Sequence, residues 1–161
     1  MRVRTLITEL LLPRPIDEVF AFFSDAHQLE VLTPPWLHFR ILTPRPIDLR
    51  LGTLIEYRIR WHGIPLSWRT EIAAWEPPHR FVDRQLKGPY SQWVHEHTFE
   101  ARDGGTLVRD RVDYAVPGWL LEPLLDRFVV RPDVERIFDY RKAKMRELFP
   151  SRDGVSSRPD A

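Results

Sequence analysis

The sequence predicts an α+β fold: an antiparallel β-sheet built as a meander, two short helices after the first strand, and a long helix near the C-terminus. Three observations predict it. From Trp36 to Val116 apolar and polar residues alternate with period two, in runs parted by short turns such as "HGIP" and "RDGG". Connections that short suit antiparallel neighbours, because parallel strands need long crossovers. Apolar residues fall at helical spacing in "PIDEVFAFFSD" before the meander and in "RPDVERIFDYRKAKMRELF" after it. Finally, 161 residues with 43% hydrophobic content make one domain with a sizeable core.

Each element has its own signal. Residues 3–12 alternate as a first strand and stop at "PRP". Pro15 suits a first helical turn, Asp17 and Glu18 favour its positive end, and Val19, Phe20, Phe22 and Phe23 supply apolar faces. A second short helix begins near Asp25 and is halted before Pro34. "WLHFRILT" is a candidate strand. In "TLIEYRIRWHG", Ile55, Tyr57, Ile59 and Trp61 share one face; in "PLSWRTEIAAWEPP", Leu66, Trp68, Thr70 and Ile72 do. "RFVDRQLKG", "WVHEHTF" and "TLVRDRVDYAV" complete the meander, and "GWLLEPLLDRFVV" reads as a short helix or ordered connection covering a core. The last helix opens with Pro132 and early acids and ends in bases. Its stripe of Val134, Ile137, Phe138, Met145 and Leu148 is interrupted by Arg141. One domain is expected over 1–149, followed by a small, polar, disordered tail over 150–161.

Composition narrows the function classes. A net charge of +1, with bases scattered among acids, gives no general attraction to nucleic acid. Without cysteine there is neither a disulfide framework nor a thiolate metal site. No apolar run is long enough to span a bilayer. Thr8 and Glu9 interrupt the apolar patch that follows Arg2 and Arg4, so the start reads as a strand rather than an export signal, and the cytoplasm is the expected location. There is no G-x-S-x-G nucleophile motif and no Gly-rich phosphate loop.

The chemistry concentrates in "WVHEHTF", where strand alternation puts Trp93, His95, His97 and Phe99 on one face. Closing the hairpin at "RDGG" sets Phe99 opposite Val108, His97 opposite Asp110, His95 opposite Val112 and Trp93 opposite Tyr114. The preceding hairpin brings Asp83 near His95 or His97 and Gln85 near Trp93. Thr70 should neighbour Gln85, and Tyr57 should neighbour Thr70. So many polar groups inside a sheet must be partnered, since an unpaired buried hydroxyl or amide costs roughly 1–3 kcal/mol. The cheapest arrangement pairs His97 with Asp110 and His95 with Asp83. A satisfied structural network and the polar lining of a ligand cavity both fit, and the set taken together favours the lining. A zinc site would need Asp83 or Asp110 as third ligand; both acids already have histidines to pair with, so no metal and no other cofactor is expected.

The order of elements, with "FVDRQLKGPYSQWVHEHTFE", "GTLVRDRVDYAVP" and "IFDYRKAKMRELF", resembles the SRPBCC or START-like superfamily of helix-grip proteins, over about residues 3–149. The "GPY…W.HEH.F" run is similar to a bacterial ligand-binding branch. The resemblance implies a curved sheet wrapped around the terminal helix, with a cavity between them, and implies no metal. The resulting expectation is a non-enzymatic carrier, sensor or sequestering protein for an apolar or aromatic small molecule. Ile55, Tyr57, Trp68, Trp93, Phe99, Tyr114 and Phe138 would bury the ligand body, and Thr70, Asp83, Gln85, His95, His97 and Asp110 would meet its polar end. A cyclase- or dehydratase-like enzyme would draw acid–base groups from His95, His97, Asp83 and Asp110. A protein-interaction module would instead have a filled core and an exposed patch from Trp61 to Trp68.

Overall fold

Strand β1 (Arg4–Leu12) alternates in burial along its length, as its pattern requires. The computed structural model describes residues 1–118 and 120–151. From residue 152 on, the tail expected to be disordered lies outside the described residues. Helices α1 (Ile16–Phe23) and α2 (Gln28–Leu32) follow β1, then a turn of 3-10 helix at Pro35–Leu37. The meander is β2 (Arg40–Ile41), β3 (Leu54–Trp61), β4 (Ile64–Glu76), β5 (Arg80–Lys87), β6 (Gln92–Arg102) and β7 (Gly105–Ala115). Helix α3 (Glu122–Leu125) runs through a π turn at Asp126–Val130 into α4 (Arg131–Leu148).

The seven strands form one antiparallel sheet in the order β1-β7-β6-β5-β4-β3-β2. Register breaks between Arg69 and Thr70 and between Ile72 and Ala74 on β4 lie where extra residues bend a strand. The strand expected over "WLHFRILT" shrinks to two residues. Pro34 and Pro35 start the 3-10 turn, and His38 ends it in a left-handed conformation at φ 45°, so extended pairing begins only at Arg40. The segment after β7 forms the expected short helix and buries Val130 in the core, but others of its apolar residues depart from expectation. Leu120, Leu121 and Leu124 point outward instead of covering a core, while Asp126 is buried against Tyr114, Arg131 and Arg4.

Helix α4 lies against the sheet through Val134, Phe138, Arg141 and Met145. Its beginning is latched to the β3–β4 hairpin: Trp61 Nε1 donates to Asp133 Oδ2 at 2.7 Å, and His62 Nε2 meets the same oxygen at 2.7 Å. His62 remains mostly exposed despite that contact, and His79, at the β4–β5 turn, is exposed. Further along, Arg136 stacks over Trp36, whose edge meets Tyr140. The core falls into three clusters. One joins α1 to Phe81, Phe99, Val108 and Met145; one surrounds Ile55, Tyr57, Trp68 and Ile72; the third joins Val112 and Tyr114 to Val134 and Phe138.

The β6–β7 turn depends on a close approach. A Cβ added to Gly105 would stand 1.9 Å from the Leu12 carbonyl oxygen, where β1 passes its start. Gly105→Ala is therefore expected to lower the unfolding free energy in urea by about 1–3 kcal/mol, as overpacking does. Gly104→Ala, at φ +82° with open space around it, should cost about 1–2 kcal/mol from backbone strain alone. Equal midpoints for Gly105→Ala and the parent chain would contradict this packing.

Candidate functional site

Members of all three clusters line a cavity of about 350 Å³ between the sheet and α4. Its walls are mostly aromatic and aliphatic; Asp83, His95, His97 and Arg141 form a charged group within the lining, to which Asp25 and Asp133 also belong. These come from three elements that antiparallel pairing and helix packing bring together. Asp83 on β5 is directly opposite His95 on β6, and His97 is opposite Asp110 on β7. The intervening residues face the other side of the sheet, so these side chains converge. Arg141, on the buried face of α4, completes the group from above the sheet.

The contacts cross. His95 Nε2 is 3.0 Å from Asp110 Oδ1, and His97 Nε2 is 3.0 Å from Asp83 Oδ2. Their other nitrogens face the remaining acid: His97 Nδ1 is 2.9 Å from Asp110 Oδ1, out of line for a hydrogen bond, and His95 Nδ1 is 3.6 Å from Asp83 Oδ2. The one-to-one pairing expected from sequence is corrected accordingly: each histidine spans both acids. Arg141 Nε donates to Asp110 Oδ2 at 3.3 Å. Packing holds the rings. Phe81 stacks on His97 with centroids 4.2 Å apart, the edge of Phe138 meets His95, and the Arg141 guanidinium lies over Phe23.

Burial and charge pull against each other in this group. Burial acts to raise Asp110, but Arg141 and the two histidines outweigh it and hold the carboxyl well below the usual range. Asp83 is lowered in the same way: burial opposes ionisation, and the charges and hydrogen bond of His95 and His97 overcome it. Burial also opposes a charged His97, yet its contacts with Asp110 and Asp83 leave its pKa raised. His95 is lowered, first by burial and then by its neighbour His97. Two carboxylates, one guanidinium and one imidazolium sum to zero, the balance a buried cluster needs. Burial, with the Asp83 charge added, pushes Tyr57 well above the usual phenol range.

Nine of the residues singled out from sequence line the cavity: Ile55, Tyr57, Trp68, Thr70, Asp83, Trp93, His95, His97 and Phe138. Four do not. Gln85 holds the loop before β6, its Nε2 donating to the Tyr90 carbonyl at 2.7 Å. Phe99 packs with Phe20, Phe23 and Phe81. Asp110 stands behind the two histidines, and the Tyr114 hydroxyl donates to Asp126 Oδ1 at 3.2 Å. Tyr57 pairs with Trp68 and Ile55 with Thr70 along the ladder, so the expected neighbours Tyr57 and Thr70 meet diagonally, side chain to side chain, and all four lie on the inner face. Sequence reasoning missed Arg141, Tyr90, Phe39 and the wall from α1 and α2, which includes Phe23, Leu29 and Leu32. Arg141 had a signal, the single charge breaking the apolar stripe of α4.

Residues 12–138 match the family described as "Polyketide cyclase / dehydrase and lipid transport". The chain belongs to that family, within the SRPBCC superfamily. Solved helix-grip structures agree in fold. Protein Ms6760 from Mycobacterium smegmatis is 23% identical, with TM-score 0.66 over 92% of this chain and 96% of that one. Protein CV1439 from Chromobacterium violaceum is 13% identical, with TM-score 0.70 over 90% and 96%. Ginseng major latex-like protein 151 from Panax ginseng is 13% identical, with TM-score 0.65 over 91% and 97%. No curated protein matches in sequence.

The two histidines should titrate apart. In metal-free protein, imidazole NMR is expected to put His97 above and His95 below the ordinary value of about 6.5. The stabilisation from the His97 imidazolium is then full below about pH 6.5 and is lost as pH rises through its folded value. Both rings titrating together near 6.5 would contradict the cluster geometry.

Proposed function

We propose that the protein binds an apolar or aromatic small molecule in the cavity between the sheet and α4, as a carrier, sensor or sequestering protein. The observation that carries this reading is the cavity itself: about 350 Å³, within the range of ligand pockets, with mostly apolar walls and the charged group of Asp83, His95, His97 and Arg141. Burial of the ligand body against Ile55, Tyr57, Trp68, Trp93 and Phe138 supplies affinity at roughly 25 cal/mol per Å² of apolar surface removed from water. Asp83, His95 and His97 fix the polar end, directly or through water, and Thr70 adds a hydroxyl to the lining. Gln85, Phe99, Asp110 and Tyr114 support the wall from behind. A filled core, as a protein-interaction module would have, fits poorly with an open interior, and Trp68 is buried rather than part of a surface patch.

A second reading has a specific observation behind it. His95 and His97 line the cavity with the Asp110 carboxylate at their backs, the arrangement in which an imidazole accepts and returns a proton. A cyclase- or dehydratase-like enzyme would use them so. It would lose turnover far more than substrate affinity on His95→Gln or His97→Gln.

Native mass spectrometry of freshly purified protein tests the binding reading. An organic adduct is expected, released when the same sample is denatured. Ile137→Trp, which fills the cavity from α4, should remove the adduct and weaken an apolar fluorescent probe at least tenfold. Unchanged probe binding in a folded Ile137→Trp variant would place binding elsewhere.

A further inference from the structure

We infer that Asp83, His95 and His97 form a binding site for one divalent first-row metal ion, with its open coordination positions facing the cavity. The three residues each offer a donor atom within 4.8 Å of the others. Asp83 Oδ2 is 3.0 Å from His97 Nε2 and 3.6 Å from His95 Nδ1. A tetrahedral ion with bonds of about 2.0–2.1 Å holds its donors about 3.3 Å apart. Both Asp83–imidazole separations are already within a few tenths of an ångström of that spacing, and the two ring nitrogens, within 4.8 Å of each other, complete it by turning toward the ion. Two histidines and one carboxylate are a donor set that suits zinc and iron(II) and leaves positions free.

The second acid decides between a metal site and a plain hydrogen-bonded network. Asp83 is part of the cavity lining, whereas Asp110 lies behind the rings. His95 Nε2 is bound to Asp110, which leaves its Nδ1 facing Asp83 and the cavity. His97 is turned the same way, with Nδ1 toward Asp110 and Nε2 toward Asp83. Asp110 thus hydrogen-bonds the far nitrogen of His95, as the outer carboxylate does in a carboxylate–histidine–metal arrangement, and faces the far nitrogen of His97 at 2.9 Å. Arg141 binds that outer acid and leaves Asp83 as the anion for the cation. The sequence reading set metal aside because both acids were assigned to histidines; the geometry gives them different roles.

The charge count also names the class of molecule that completes the site. A divalent ion with two carboxylates, Arg141 and two neutral imidazoles sums to +1. One anionic oxygen donor, a carboxylate or phenolate on the otherwise apolar occupant, neutralises it. This last step rests on the cavity-binding reading, whereas the ion site does not.

Chelator-stripped protein should bind one zinc ion per chain in competition with a chromophoric chelator, and cobalt(II) should give the visible absorption of a four- or five-coordinate ion. Asp83→Asn and His97→Gln should each weaken zinc at least 100-fold, and Asp110→Asn 10–100-fold. His62→Gln, on the exposed hairpin, should leave it unchanged. On the unaltered chain, zinc should shift the imidazole nitrogens of His95 and His97 and not those of His62 or His79, a readout independent of whether the variants fold. Absence of stoichiometric zinc binding, or binding lost with His62→Gln, overturns the site. If metal-free protein binds the apolar probe while zinc fails, the ion site falls and the cavity reading stands.

Discussion

The fold depends on the contact between Asp110 and Arg141. A carboxylate on a central strand and a guanidinium on the helix meet at 3.3 Å, both almost fully buried. Neither charge is tolerable alone there; breaking such a pair typically costs about 3–5 kcal/mol. The pair therefore fixes how α4 sits on the sheet, and with it the width of the space left between them. His95, His97 and Asp83 continue the same group across β6 and β5. The most polar part of the interior is thus also the part that holds helix and sheet together.

That arrangement explains why a cavity persists in a core rich in aromatics. Rings close to the charged group are committed to holding it: Phe81 on His97, Phe138 on His95, Phe23 under Arg141. Trp68 and Tyr57 stack on each other, and Trp93 packs edge-on against Trp68. Rings fixed in this way cannot rotate freely to close the space, because doing so would strip partners from buried charge. The latch of Trp61 and His62 on Asp133 holds the hairpin to the helix at the other end.

Much of this was legible in the sequence because strands have a period of two. Once "RDGG" fixed the hairpin, the β6–β7 pairs and the shared face of His95, His97 and Asp110 followed, and the observed register agrees pair by pair. Which acid each histidine touches was not legible: register gives neighbours, whereas ring rotation is decided by Phe81, Phe138 and Arg141 from other elements. The helical wall of Phe23, Leu29 and Leu32 was invisible for a related reason. Helical periodicity marks an apolar face without saying what it faces. The β2 error came from reading apolar residues across a proline pair, where fixed φ angles win over alternation.

An open apolar space lies over an intact charged group. The most direct test is a crystal structure of the metal-free protein under xenon pressure, since dry apolar cavities take up xenon. Xenon is expected between Trp68, Phe138 and Ile137, with Asp83, His95, His97, Asp110 and Arg141 in mutual contact. Side chains collapsed into that space, with no xenon and the Asp110–Arg141 pair broken, would contradict it.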